Sequence, residues 1–120
     1  RLSFVTTTDR PEGILIRGIE PHRGIRVMKE RRGKDADLTS GPGKLTKALG
    51  ITRAEHNGTK INGEILHVLP GRKPASIEET RRIGIDNKEE AADYLYRFIV
   101  KGNPNVSRFK GKADTDNGWQ

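Results

Sequence analysis

Two glycines and a lysine, Gly41, Gly43 and Lys44, stand together inside LTSGPGKLTKALGI at residues 38–51. A glycine-rich turn running into a helix presents backbone N–H groups to an anion, and a lysine beside them adds charge, so the chemistry on offer is phosphate binding. Arg17 is the second candidate, because it interrupts the apolar run Ile14, Leu15, Ile16 at a position that should be partly buried. A buried guanidinium needs a partner or a task. The residues alone leave both readings open: an ion pair with an acidic residue, or a place in a site. RGIEP at 17–21 and GNPNVS at 102–107 are the stretches to be read with them.

Other chemistries fit less well. A nucleotide-binding loop ending at Gly43 and Lys44 needs glycine at 38 and serine or threonine at 45, where Leu38 and Leu45 stand. The Gly-Pro-Gly turn also resembles the hairpin of helix–hairpin–helix DNA-binding modules, although taken alone it reads first as a tight helix entry with no ligand. His22, His56 and His67 share no helical i, i+4 spacing and have no carboxylate cluster beside them, so no metal site is expected. Two glycosylation sequons, at Asn57 and Asn105, are taken as chance matches.

The 120-residue chain carries a net charge of +7, and its isoelectric point is near 10.0. That balance suggests an acidic partner, of which nucleic acid is the usual one, the alternative being a basic soluble surface with no partner. Only 32% of residues are apolar, so the core must be small or completed by another segment. No stretch approaches the roughly 20 apolar residues that span a bilayer, and no signal peptide is visible. The absence of cysteine excludes disulfides and thiolate metal sites and fits a reducing interior. The first residue is Arg1 and residues 2–5 look like the inside of a strand, so a front segment is expected to be missing.

The elements that must position these residues are short. Residues 2–6 and 13–19 are β-branched runs separated by residues 9–12, which predicts an antiparallel pair. Ile25 and Met28 have helical spacing in a segment 25–32 closed by Gly33. The next helix has Thr39 or Ser40 as cap, Pro42 in its first turn, a stripe of Leu45, Ala48 and Leu49, and a stop at Gly50. Thr52 and Glu55 form a capping-box pattern, as do Ser76 and Glu79, each predicting a helical turn. Residues 65–69 predict a strand, 88–95 a helix and 96–100 a last strand, and 111–120 a polar tail. Mixed short elements without βαβ rhythm indicate an α+β domain, taken as one body over residues 1–110.

In order along the chain, LIRGIEP at 15–21, Gly24 and Ile25 with Met28, Arg31 and Arg32, residues 38–51, RIGI at 82–85, Arg97 with Phe98, and GNPNVS at 102–107 resemble the alkyladenine (3-methyladenine, methylpurine) DNA glycosylase family. The resemblance implies a curved antiparallel sheet, open-barrel-like and similar to a formyltransferase C-terminal domain, with short flanking helices. It implies a monofunctional enzyme of base-excision DNA repair that flips a damaged purine from double-stranded DNA and hydrolyses its N-glycosidic bond, without metal or cofactor. By the same resemblance Arg17 helps position the attacking water, and the backbone carbonyl of Val106 is the acceptor opposite it. Arg32, Gly41, Gly43 and Lys44 are implied phosphate contacts that fix register without reading sequence. A monomer in the cytoplasm and nucleoid, or in a nucleus, is expected.

The departures are as informative. The family's general-base glutamate, its tyrosine wedge and the walls of its base pocket belong to a front segment and have no counterpart here. Ser3 stands where the family has an asparagine that limits access of normal guanine, which implies looser discrimination of bases. Leu95 and Tyr96 replace a proline-containing approach to Arg97 and Phe98. The chain by itself is therefore expected to bind DNA weakly and excise nothing. The alternative is a non-catalytic basic DNA-binding module of the same fold. An RNA-binding relative has less support, since neither an RNP-like strand nor a KH-type loop is evident.

Overall fold

The computed structural model describes residues 2–5, 13–81 and 97–120. The chain is α+β, as the sequence indicates, and divides into two compact units. The first comprises Arg1–Pro70 with Asn105–Arg108, and the second Gly71–Pro104 with Phe109–Gln120. The GNPNVS motif is thus shared, with Asn105, Val106 and Ser107 belonging to the first unit.

In the first unit, β1 (Leu2–Val5) pairs antiparallel with β2 (Gly13–Ile16), with Ser3 opposite Leu15. β2 ends at Ile16, three residues earlier than the apolar pattern predicts, because the Ile19 N–H is drawn to the Thr39 carbonyl at 3.3 Å instead of continuing the ladder. Helix α1 (Ile25–Arg32) occupies the predicted span, and Gly33 closes it. Helix α2 (Pro42–Leu49) begins with Pro42, whose missing N–H costs nothing in a first turn, and ends at Gly50. Gly50 has φ 70°, and a Cβ there would lie 2.8 Å from the Arg31 guanidinium carbon. Glycine therefore serves twice, for the left-handed stop and for the close approach.

The two helices pack around Met28, Leu38 and Ala48, with Leu49 partly covered; Leu45 on the same helix is fully buried. Arg31 donates to the Ala48 carbonyl at 3.0 Å, placing a cation on the negative end of α2. Buried Thr46 bonds the carbonyls of Pro42 and Gly43 at 3.2 and 3.1 Å, so its hydroxyl is satisfied inside the helix. The helical turn expected after Thr52 is present as α3 (Arg53–His56), with Thr52 accepting from the Glu55 N–H at 3.2 Å. The Thr52 N–H donates to His56 Nδ1 at 3.0 Å.

Two expectations for the first unit fail. Thr39 and Ser40 do not cap α2: its cap is Gly41, and both hydroxyls are spent elsewhere. Residues 65–69 form no strand, beyond an isolated bridge from Leu66 to Ile61. Asn62, at φ 61°, turns this segment back, taking the Leu66 carbonyl at 2.7 Å with its N–H and the Val68 N–H at 2.6 Å with its side chain. That local bonding displaces a ladder and leaves Ile65, Val68 and Leu69 exposed.

The second unit holds β3 (Ile77–Thr80) and β4 (Arg97–Val100), an antiparallel pair in the register Ile77 opposite Val100 and Thr80 opposite Arg97. The strand predicted at 96–100 is present, but the capping-box reading of Ser76 and Glu79 is overturned. Pairing with β4, extended by the Lys101 N–H to the Ser76 carbonyl at 3.0 Å, outweighs a one-turn helix that no packing would support. Residues 111–120 are largely exposed, and their end is fixed: after a 3₁₀ turn (Thr115–Gly118), Trp119 bridges Pro74 and the Gln120 N–H reaches the Lys73 carbonyl at 2.8 Å. The turn expected at 9–12, the RIGI string at 82–85 and the helix expected at 88–95 lie outside the described residues.

Candidate nucleic-acid interface

Three stretches far apart in sequence meet in the first unit. Arg17 leaves the end of β2 half-buried, with its Nε enclosed. Next to it, Gly18 lies under the 105–107 segment: a Cβ at Gly18 would sit 3.0 Å from the Asn105 carbonyl oxygen and 3.6 Å from that of Thr39. Ile19 and Thr39 are joined twice. The Ile19 N–H donates to the Thr39 carbonyl, and the Thr39 hydroxyl donates to the Ile19 carbonyl at 2.6 Å. Thr39 is 1% exposed, so this pair is sealed from water and worth more than a surface bond.

The 105–107 segment is tied to the other two. The Asn105 amide donates to the Glu20 carboxylate at 3.5 Å, and the Ser107 hydroxyl donates to the Ser40 carbonyl. Val106, half-buried, lies between these two anchors. The structure therefore brings the Arg17 segment, the Val106 segment and the Gly-Pro-Gly loop to one junction. Ser3, exposed on β1, is linked to it through the pairing with Leu15.

The loop from Asp37 to Gly41 aims the start of α2. Arg32 braces it, donating from Nε to the Leu38 carbonyl and from Nη2 to the Asp37 carbonyl, both at 3.2 Å. Lys44 Nζ donates to Asp37 Oδ2 at 2.7 Å, and the Ser40 hydroxyl donates to Asp37 Oδ1. These bonds, that from Lys44 first and that from Ser40 second, hold the Asp37 carboxyl below its ordinary titration range. Gly41 is buried, whereas Gly43 faces open space, with nothing within 4 Å of where a Cβ would be. The N–H groups of Gly43 and Lys44 lie in the first turn, where an α-helix offers no internal acceptor. Gly43 is exposed and Lys44 half-buried, and first-turn amides beside a lysine are the kind of group that receives an anion.

The sequence did not disclose Asp37 as the shared partner of Lys44 and Ser40, Thr39 as a strut to Ile19, or Ser107 as a tie to Ser40. A serine or threonine ahead of a helix serves equally well as cap or strut, and only the distant partner decides. Among the described residues no group of three or more His, Cys, Asp or Glu could hold a metal ion. Among the same residues no helix is long and apolar enough to cross a membrane.

A relative from Bacillus licheniformis, named "Putative 3-methyladenine DNA glycosylase", is 49% identical over 102 residues, which is 83% of this chain and 52% of its own length. A Bacillus subtilis protein of the same name is 50% identical over 102 residues, with the same coverage of each chain. One from Staphylococcus epidermidis, again of that name, is 47% identical over 119 residues, 97% of this chain and 58% of its own. The chain thus spans about half the length of the curated relatives it matches. The methylpurine-DNA glycosylase family matches residues 2–104, which include Arg17, the Gly-Pro-Gly loop and Lys44. With a match over most of its length, this chain belongs to the methylpurine-DNA glycosylase family.

Proposed function

We propose that this chain supplies the DNA-backbone contacts and the water-positioning half of a monofunctional purine-DNA glycosylase acting in base-excision repair. One observation carries the reading: Gly18, Ile19 and Glu20, which follow Arg17, are hydrogen-bonded or closely packed to both the 37–41 loop and the 105–107 segment. The groups proposed here to position water and to bind phosphate belong to one unit.

In the proposed reaction a damaged purine is extruded from the duplex, at a cost of roughly a few kcal/mol that is lowest where damage has weakened pairing. The bond between the sugar C1′ and the purine nitrogen breaks, and its electron pair leaves with the base. Water forms the new bond to the oxocarbenium-like C1′ and gives up a proton. Arg17 donates to that water and the Val106 carbonyl accepts from it, which fixes the direction of attack. The proton goes to a general base outside the residues of this chain. Arg32, Gly41, Gly43 and Lys44 hold the backbone phosphates, and Ser3 borders the base pocket. In the complete enzyme β1 and β2 would join a larger curved antiparallel sheet, and the enzyme would act as a monomer on double-stranded DNA.

The test is single-turnover excision of hypoxanthine or an alkylated adenine from a duplex by a complete enzyme containing this chain. Excision that depends on Arg17 supports the reading. Duplex binding with excision indifferent to Arg17 would reduce the chain to a basic DNA-binding module.

A further inference from the structure

At the start of α2 the anion-binding groups are not idle. Lys44 folds back across Gly41, whose absent Cβ would lie 3.5 Å from Lys44 Cδ and 3.7 Å from Cγ, and ends on the Asp37 carboxylate. The Ser40 hydroxyl donates to the other oxygen of the same carboxylate. Asp37 therefore presents two anionic oxygens to an ammonium and a hydroxyl, the donors that a phosphate would take. Its backbone supports that pose. Asp37 has φ 52°, a left-handed conformation that aspartate tolerates better than most residues, and Arg32 holds its carbonyl.

We propose that Asp37 is an internal stand-in for a DNA phosphate, engaging Lys44 and Ser40 until duplex arrives and setting the chain's affinity for DNA by competition. The inference rests on the proposed contact between Lys44 and phosphate. The pair suits exchange: its side chains are 41% and 51% exposed, so water reaches both and the contact breaks at small cost. A backbone phosphate in the same place competes with the carboxylate and brings with it the entropy of counterions released from DNA. The lowered titration range of Asp37 means that the competitor is fully charged at neutral pH.

The experiment measures binding of the 120-residue chain to an undamaged duplex of about 20 base pairs by fluorescence anisotropy at low salt, where phosphate contacts are strongest. It compares Asp37→Asn, Lys44→Ala, the double variant and Asp35→Asn. Asparagine keeps the left-handed backbone and an acceptor for Ser40 while removing the charge; Asp37→Gly, also compatible with φ 52°, serves if the asparagine substitution perturbs folding. Asp37→Asn should tighten binding about two- to fivefold, the scale of an exposed ion pair. Lys44→Ala should weaken binding and abolish the gain, and Asp35→Asn should not reproduce the Lys44-dependent part. A gain that survives Lys44→Ala would show a general charge effect and overturn the proposal. Unchanged or weaker binding by both Asp37 variants would make the carboxylate a strut that poses Lys44, and would overturn it too. If Lys44→Ala alone leaves binding unaltered, the phosphate contact itself fails, and the competition falls with it.

Discussion

The Ser107 hydroxyl donates to the Ser40 backbone carbonyl across a sequence separation of 67 residues. This bond fastens the segment that holds Val106 to the loop that starts α2. Ser107→Ala should lower stability by about 1 kcal/mol, the usual net worth of such a bond, because it leaves the part-buried Ser40 carbonyl short of a donor. Urea unfolding of the chain measures this, and an unchanged midpoint would show the tie to be dispensable.

At Gly18 the Arg17 segment passes close to the backbone of the Val106 segment. The need for glycine there is spatial. Gly18→Ala places a methyl 3.0 Å from the Asn105 carbonyl, and is expected to cost about 1–2 kcal/mol through overpacking. Gly13→Ala, in open space on β2, should cost nothing comparable. Thermal melts of the two variants should therefore separate, and coincident melts would contradict the close approach.

Much of the first unit was legible in the sequence, because its signals are local. Gly33 and Gly50 stop the two helices, Pro42 opens the second, and Met28, Leu45 and Ala48 mark their buried faces. The errors arose where a distant partner decides. Ser76 and Glu79 carry a helix signal, yet β4 recruits them as strand, and the apolar run at 65–69 is turned aside by Asn62. At the candidate site, the charge and glycines of residues 41–44 suggest a phosphate-binding loop, which stands as a proposal. Nothing in the spacing announced that Asp37 already holds Lys44, since a seven-residue separation across a turn has no fixed geometry.

Leu45 is 0% exposed and, among the described residues, one of four buried apolar side chains with Met28, Leu38 and Ala48. Leu45→Ala should cost about 2–5 kcal/mol, from lost burial and the cavity left behind. That is a large share of the stability of any small domain, so the variant should lose its cooperative unfolding transition near room temperature. A calorimetric transition within a few degrees of the parent's would show that the core lies elsewhere.

The Asp37 carboxyl titrates below its ordinary value of 3.8 because Lys44 and Ser40 favour its charged form. A carboxylate with a depressed folded-state value adds stability above its unfolded value and loses it as pH falls through the folded one. The stability of the parent over Asp37→Asn should hold steady above about pH 5 and shrink as pH falls below about 4. The effect is small, since both partners are substantially exposed. A difference that grows on acidification would contradict the sign.

The central claim is that Arg17 positions the water that cleaves the glycosidic bond. The direct measurement joins this chain to the portion of the Bacillus licheniformis relative that it does not cover, the relative being 49% identical over the matched residues, and follows single-turnover release of hypoxanthine from duplex DNA. With an active parent, Arg17→Ala should slow release on the order of 10²- to 10³-fold, the loss expected for a positioned polar donor, while duplex affinity changes little. Release at the parental rate would contradict the account.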